Sequence, residues 1–175
     1  MKKFYLLFML LALAGIGFGQ ATDLIISEYI EGSGNNKALE IYNGTGADVD
    51  LSGYQIWKIA NGGSWPESTL SLSGTLTDGD VYVIYNSSAD AAIVAVGDVT
   101  WSQANWNGDD AVGLAKDDGT GTFTLIDAVG EDGSDPGSGW DVAGVTNATK
   151  DHTLVRKETI CSPNTDWDAS RGTNT

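Results

Sequence analysis

The chain has 175 residues, 24 of them acidic and nine basic, for a formal net charge of −15. That length suits one domain, and 41% hydrophobic residues with six tryptophans suffice for a packed core. One cysteine excludes an intrachain disulfide or multi-cysteine cluster, one histidine excludes a two-histidine zinc site, and 23 glycines without a three-residue period exclude collagen.

In chain order, Lys2 and Lys3 precede an unbroken apolar run from Phe4 to Ala14, and the small residues Gly15, Gly17 and Gly19 follow. This is the pattern of a secretory signal peptide. The run is too short for a membrane anchor, since a spanning helix takes ~20 residues. Residues 1–19 are therefore expected to be removed, and residues 20–175 to form one exported domain without a membrane or lipid anchor. The mature chain would carry seven basic against 24 acidic residues, a net charge of −17.

The mature sequence reads as short strands separated by turns. Residues 24–30 are β-prone. Residues 31–37 (Glu-Gly-Ser-Gly-Asn-Asn-Lys) have loop composition. Residues 38–43 alternate, with Leu39 and Ile41 on one face and Glu40 and Tyr42 on the other. A turn at Asn43-Gly44-Thr45-Gly46 leads to 49–51. In 54–59, Tyr54, Ile56 and Lys58 oppose Gln55, Trp57 and Ile59. Further strands are expected at 68–72, 81–86, 111–116, 123–129 and 153–157. The apolar run from Val81 to Tyr85 predicts a strand buried on both faces or central in a sandwich. Only 89–96 has helical character, with Asp90 placed to cap it. Short strands punctuated by Gly, Asn and Asp predict an all-β sandwich.

Residues 26–43, Val49 to Tyr54, Asp78 to Ile84, Asn107 to Leu114, Leu125 to Gly130 and Thr153 to Lys157 follow one another in domain-like spacing. In that order they resemble the bacterial lamin-tail domain family. The resemblance implies an immunoglobulin-like β-sandwich and a noncatalytic accessory or binding module. In secreted bacterial proteins such a module is often fused to nuclease or other phosphoesterase domains. Family members usually continue past a segment like Asn164 to Trp167 into a closing strand. Here the polar stretch from Ser170 to Thr175 takes its place, so that strand is expected to be missing and a sheet edge left unpaired.

Charge is unevenly placed. Residues 20–149 hold 20 acidic and three basic residues, whereas residues 150–175 hold four of each. An acidic body repels phosphates at long range, so direct nucleic-acid binding is not expected. Calcium, which takes hard oxygen ligands, has candidate ligands in Glu28, Glu31, Asn36 and Glu40 around the 31–37 hairpin, and in Asp109 and Asp110. Asp117 and Asp118 form a third group. None matches EF-hand spacing. The plainer reading of the hairpin pairs Lys37 with a glutamate, and Asn107-Gly108-Asp109 and Asp117-Asp118-Gly119 are ordinary turn sequences. Trp101, Trp106 and Trp140 lie in Asn/Gly/Asp-rich segments, where exposed indoles could stack on a sugar ring; core burial is the competing expectation. His152 and Cys161 lack the nucleophile, base and orienting group that covalent catalysis needs.

The expectation is a secreted, noncatalytic accessory module with no required cofactor. It would serve a neighbouring domain, or an extracellular protein or polysaccharide. The alternatives are a stand-alone adhesin or carbohydrate-binding module with calcium, and a small secreted metal-dependent nuclease.

Overall fold

Residues 20–173 are described here in a computed structural model. The expected signal peptide at 1–19 lies outside the described residues. Within them are eleven strands, the longer ones showing period-two patterning: β1 (Ile25–Glu31), β2 (Lys37–Tyr42), β3 (Val49–Asp50), β4 (Tyr54–Ile59), β5 (Ser68–Ser71), β6 (Thr75–Leu76), β7 (Val81–Tyr85), β8 (Val99–Thr100), β9 (Ala111–Asp117), β10 (Phe123–Val129) and β11 (Thr153–Val155). Two short α-helices, α1 (Ala91–Val94) and α2 (Trp167–Ser170), and a 3-10 turn at Leu51–Gly53 complete the set.

The strands form an immunoglobulin-like sandwich. One sheet has the order β11-β1-β2-β7-β8 and the other β10-β9-β4-β5, with a small β3-β6 ribbon beside them. Pairing is antiparallel except between β7 and β8. The inner faces supply the core. Leu24, Ile26, Tyr29, Leu39 and Ile41 come from the first sheet and the segment leading into it. Tyr54, Ile56, Val112 and Leu114 come from the second. In β2 the expected alternation holds, with Leu39 and Ile41 buried and Glu40 and Tyr42 half-buried.

Three local expectations change. β7 is internal in its sheet, but only Val83 and Ile84 are buried while Val81, Tyr82 and Tyr85 are half-buried. The second sheet covers one face of β7, so an apolar run did not require burial on both. Ile59 joins the core although it has the opposite parity to Tyr54 and Ile56. Asp90 occupies the N-cap of α1 but makes no capping bond. Its carboxylate instead accepts from Asn36 Nδ2 at 2.9 Å, and its N–H donates to Asn36 Oδ1 at 2.8 Å.

The C-terminal part of the chain closes one side of the sandwich. β11 pairs with β1 in the register Glu28↔Val155, Tyr29↔Leu154, Ile30↔Thr153. It stops at Val155 because Arg156 turns inward to a buried carboxylate. Among the described residues, no strand pairs with the outer side of β11.

Candidate functional site

The acidic candidates fall into separate places, and most are already bonded to protein groups. Glu31 is buried and pairs with Lys37, which also donates to the Gly32 carbonyl. The second Glu31 oxygen accepts from the Asp151 N–H. The hairpin therefore adopts the lysine–glutamate pairing. Asn36 is occupied by Asp90, as above. Glu28 and Glu40 face each other across β1 and β2, and Ser27 Oγ donates to Glu40 Oε1 at 2.7 Å. Burial, then the Glu40 charge, pushes the Glu28 carboxyl above its ordinary value.

Asp110 is buried at the end of the sandwich, where Lys58 Nζ lies 3.1 Å away. Asp109 beside it is pushed up by burial and by the Asp110 charge. Tyr29 is raised well above the usual phenol value, first by burial and then by Glu31, Asp110 and Asp109. These carboxylates thus share one neighbourhood, in which Lys37 pairs with Glu31 and Lys58 with Asp110 while Asp109 has no ion-pair partner among the described residues. Asp117 and Asp118 close the β9–β10 hairpin. Asp117 Oδ1 accepts from the N–H groups of Gly119 and Gly121, and Asp118 Oδ1 accepts from Thr120. Among the described residues, no three His, Cys, Asp or Glu side chains are grouped so as to hold a metal ion.

The three tryptophans are placed as core, which corrects the expectation of exposed stacking faces. Trp106 is fully buried, stacks on Tyr29 with centroids 5.8 Å apart, and donates from Nε1 to the Ile30 carbonyl at 2.9 Å. Trp140 is buried against the edge of Trp167, with centroids 6.1 Å apart. Trp101 is buried as well. Polar neighbours in sequence did not expose these rings, because each belongs to the core cluster, Trp106 against Tyr29 and Trp140 against Trp167. No indole of the three offers a face to a sugar.

A different constellation organises the C-terminal side. Asp127, in β10, is fully buried. Its Oδ2 accepts from the Ile26 N–H at 2.8 Å. Its Oδ1 accepts from Arg156 Nη2 at 2.8 Å and from the Asn164 N–H at 3.0 Å. Arg156 Nε also donates to the Ile26 carbonyl at 2.7 Å. One carboxylate therefore ties β1, β10, the end of β11 and the segment around Asn164. Sequence reading placed Asp127 and Arg156 in separate motifs, and their chemical partnership carries no local signal.

That latch borders a groove of about 700 Å³. Its walls are β1 and β11, the end of β10, and the crossing segment that includes Ile160, Cys161 and Trp167. The groove is open to solvent and more apolar than polar. Val155 is 70% exposed and Ile160 43% exposed at its margin. Such exposed apolar side chains along a strand edge are more informative than scattered ones.

Among the described residues, no helix is long and apolar enough to cross a membrane. A comparison with curated proteins gives no match. The Lamin Tail Domain family model matches residues 19–133, the stretch from the start of the sandwich to just past β10. The groove's far wall and β11 lie beyond that stretch. With an all-β immunoglobulin-like sandwich spanning the matched residues, the chain belongs to the Lamin Tail Domain family.

Proposed function

We propose that this protein is a secreted, noncatalytic accessory module that binds and positions a partner, and that the domain it serves is a nuclease or phosphoesterase. The observation that supports this reading best is how the polar side chains of the sandwich are used. Of the six buried charges among the described residues, Glu31, Lys37, Lys58, Asp110 and Asp127 are engaged in internal ion pairs, and Asp109 is not. They stabilise the scaffold and leave little free chemistry inside it, while the C-terminal edge is open for contact. Family membership agrees with an accessory role, although one sandwich can host many functions.

The test has two arms. N-terminal sequencing and intact mass of the polypeptide recovered from culture medium should show a chain beginning at Gln20. Retention of residues 1–19, or absence from the medium, would remove the secreted part of the proposal. Purified protein incubated with supercoiled plasmid should give no nicking with magnesium, calcium or chelator. Chelator-sensitive nicking that copurifies with the protein would overturn the noncatalytic part and favour the nuclease alternative.

A further inference from the structure

The outer edge of β11 is an unfilled strand position. The Glu31 N–H donates to the His152 carbonyl at 3.0 Å, and the Arg156 N–H donates to the Ser27 carbonyl at 2.8 Å. In antiparallel pairing these bonds flank two non-hydrogen-bonded pairs, Ile30↔Thr153 and Glu28↔Val155. The backbone groups of Thr153 and Val155 therefore point away from β1. No strand meets them among the described residues. Leu154 points inward against the core, which anchors the edge.

Charge then selects an occupant. Residues 20–173 contain seven lysines and arginines. Among the described residues five of them sit in ion pairs: Lys37, Lys58, Lys116, Arg156 and Arg171. The two outside these ion pairs, Lys150 and Lys157, are both exposed and lie just before and just after β11, with Lys150 also close enough to act on Asp109. A protein of strongly negative charge thus places the two cations left outside ion pairs at the two ends of one open strand edge.

We propose that this edge binds an extended, acidic segment of another polypeptide as an added strand, laid beside β11 and into the groove. The proposal rests on the binding-module reading and names the partner chemistry. Strand addition draws affinity from the outward N–H and C=O groups of Thr153 and Val155. The apolar groove takes alternate side chains of the incoming strand, and Lys150 and Lys157 attract its carboxylates. A second copy of this chain is the competing occupant, and sedimentation distinguishes it. Lysines beside an edge also deter unspecific strand pairing; that role alone predicts no affinity for an acidic peptide.

The test uses purified protein with two capped probe peptides, one alternating valine with aspartate and the other valine with lysine. Binding is read by amide NMR and by titration at low and high salt. The acidic peptide should bind, shift the Thr153 and Val155 amides, and weaken as salt rises. The lysine peptide should not bind. Lys150→Gln with Lys157→Gln should weaken acidic-peptide binding about tenfold at low salt, as expected for two exposed ion pairs lost. Val155→Pro removes an outward N–H without removing a bond to β1, and should abolish binding while the unfolding transition persists. Equal binding of both peptides, amide shifts confined to other strands, or no binding would overturn the proposal. So would a concentration-dependent dimer, by sedimentation, that excludes the acidic peptide. Plasmid nicking bears on the accessory reading alone, so failure of one does not masquerade as failure of the other.

Discussion

Replacing Arg156 with methionine isolates the latch that holds the C-terminal segment to the sandwich. The guanidinium is largely buried, with its side chain 15% exposed, and Asp127 is fully buried. Methionine keeps much of the apolar stem and removes the cation. Asp127 keeps the N–H donors of Ile26 and Asn164 but loses its ion-pair partner. The Ile26 carbonyl loses its bond from Nε. Removing one partner of a buried pair costs about 3 kcal/mol or more, because the other charge is left uncompensated. In a domain of this size that corresponds to roughly 6–12 °C in melting temperature.

The pH dependence of that loss carries the reasoning further. Burial pushes the Asp127 carboxyl up, and Arg156 is the largest opposing influence. Without Arg156 the native carboxyl is raised further. A carboxyl raised above its unfolded value holds its proton longer in the native state. The associated stability is present at low pH and is lost as pH rises through the native value. The deficit of Arg156→Met relative to wild type should therefore grow from mildly acidic to neutral pH. Urea unfolding followed by tryptophan fluorescence, with a circular-dichroism check on the slope, measures it. A neutral-pH loss under about 1 kcal/mol, or one that does not change between mildly acidic and neutral pH, would refute this account of the latch.

Further outcomes follow from particular contacts. Tyr54 is pushed up to about 12, first by burial and then by its hydrogen bond to Asp23, whose Oδ1 accepts from Oη at 2.6 Å. Ultraviolet titration should show its phenol ionising well after ordinary tyrosines, with native stability falling as pH climbs past the unfolded phenol value; an ordinary titration would contradict the packing. Glu28→Gln removes a like-charge cross-strand pair and should stabilise the domain by about 0.5 kcal/mol at neutral pH. Because Glu28 is raised, the gain should fade as pH falls toward its ordinary value near 4.5, and a loss of stability at neutral pH would count against it. Gly130 has φ 84°, and a Cβ there would lie 2.8 Å from both the Ala111 Cβ and the Trp140 ring. Gly130→Ala should cost about 2 kcal/mol or more, read as a lower urea midpoint. Trp106→Ala should cost about 4 kcal/mol, and sugars should leave the native tryptophan emission unchanged; quenching by a sugar would show that an indole is accessible after all.

The strands were legible because period-two alternation is a local property. Residues 54–59 and 123–129 were delimited by composition alone and match β4 and β10. The family resemblance was also carried by contiguous motifs, and the match over residues 19–133 agrees with it. β6, β8 and α2 escaped notice because two to four residues are too few to show a period.

What the sequence could not decide was which side chains meet. Tryptophans in polar loops left an exposed face open as an alternative to core burial, and burial is what tertiary packing gives them. Lys37 pairs with Glu31 as the plainer reading of the hairpin has it, whereas nothing local couples Asn36 to Asp90. Asp127 and Arg156 stand 29 positions apart, and nothing local couples them. The same holds for Lys150 and Lys157: sequence shows a shift toward basic residues, but only pairing elsewhere leaves these two outside ion pairs beside an open edge. Local pattern fixes the elements because backbone geometry has a short period. Sites depend on long-range contacts, which form only when the sheets close on one another.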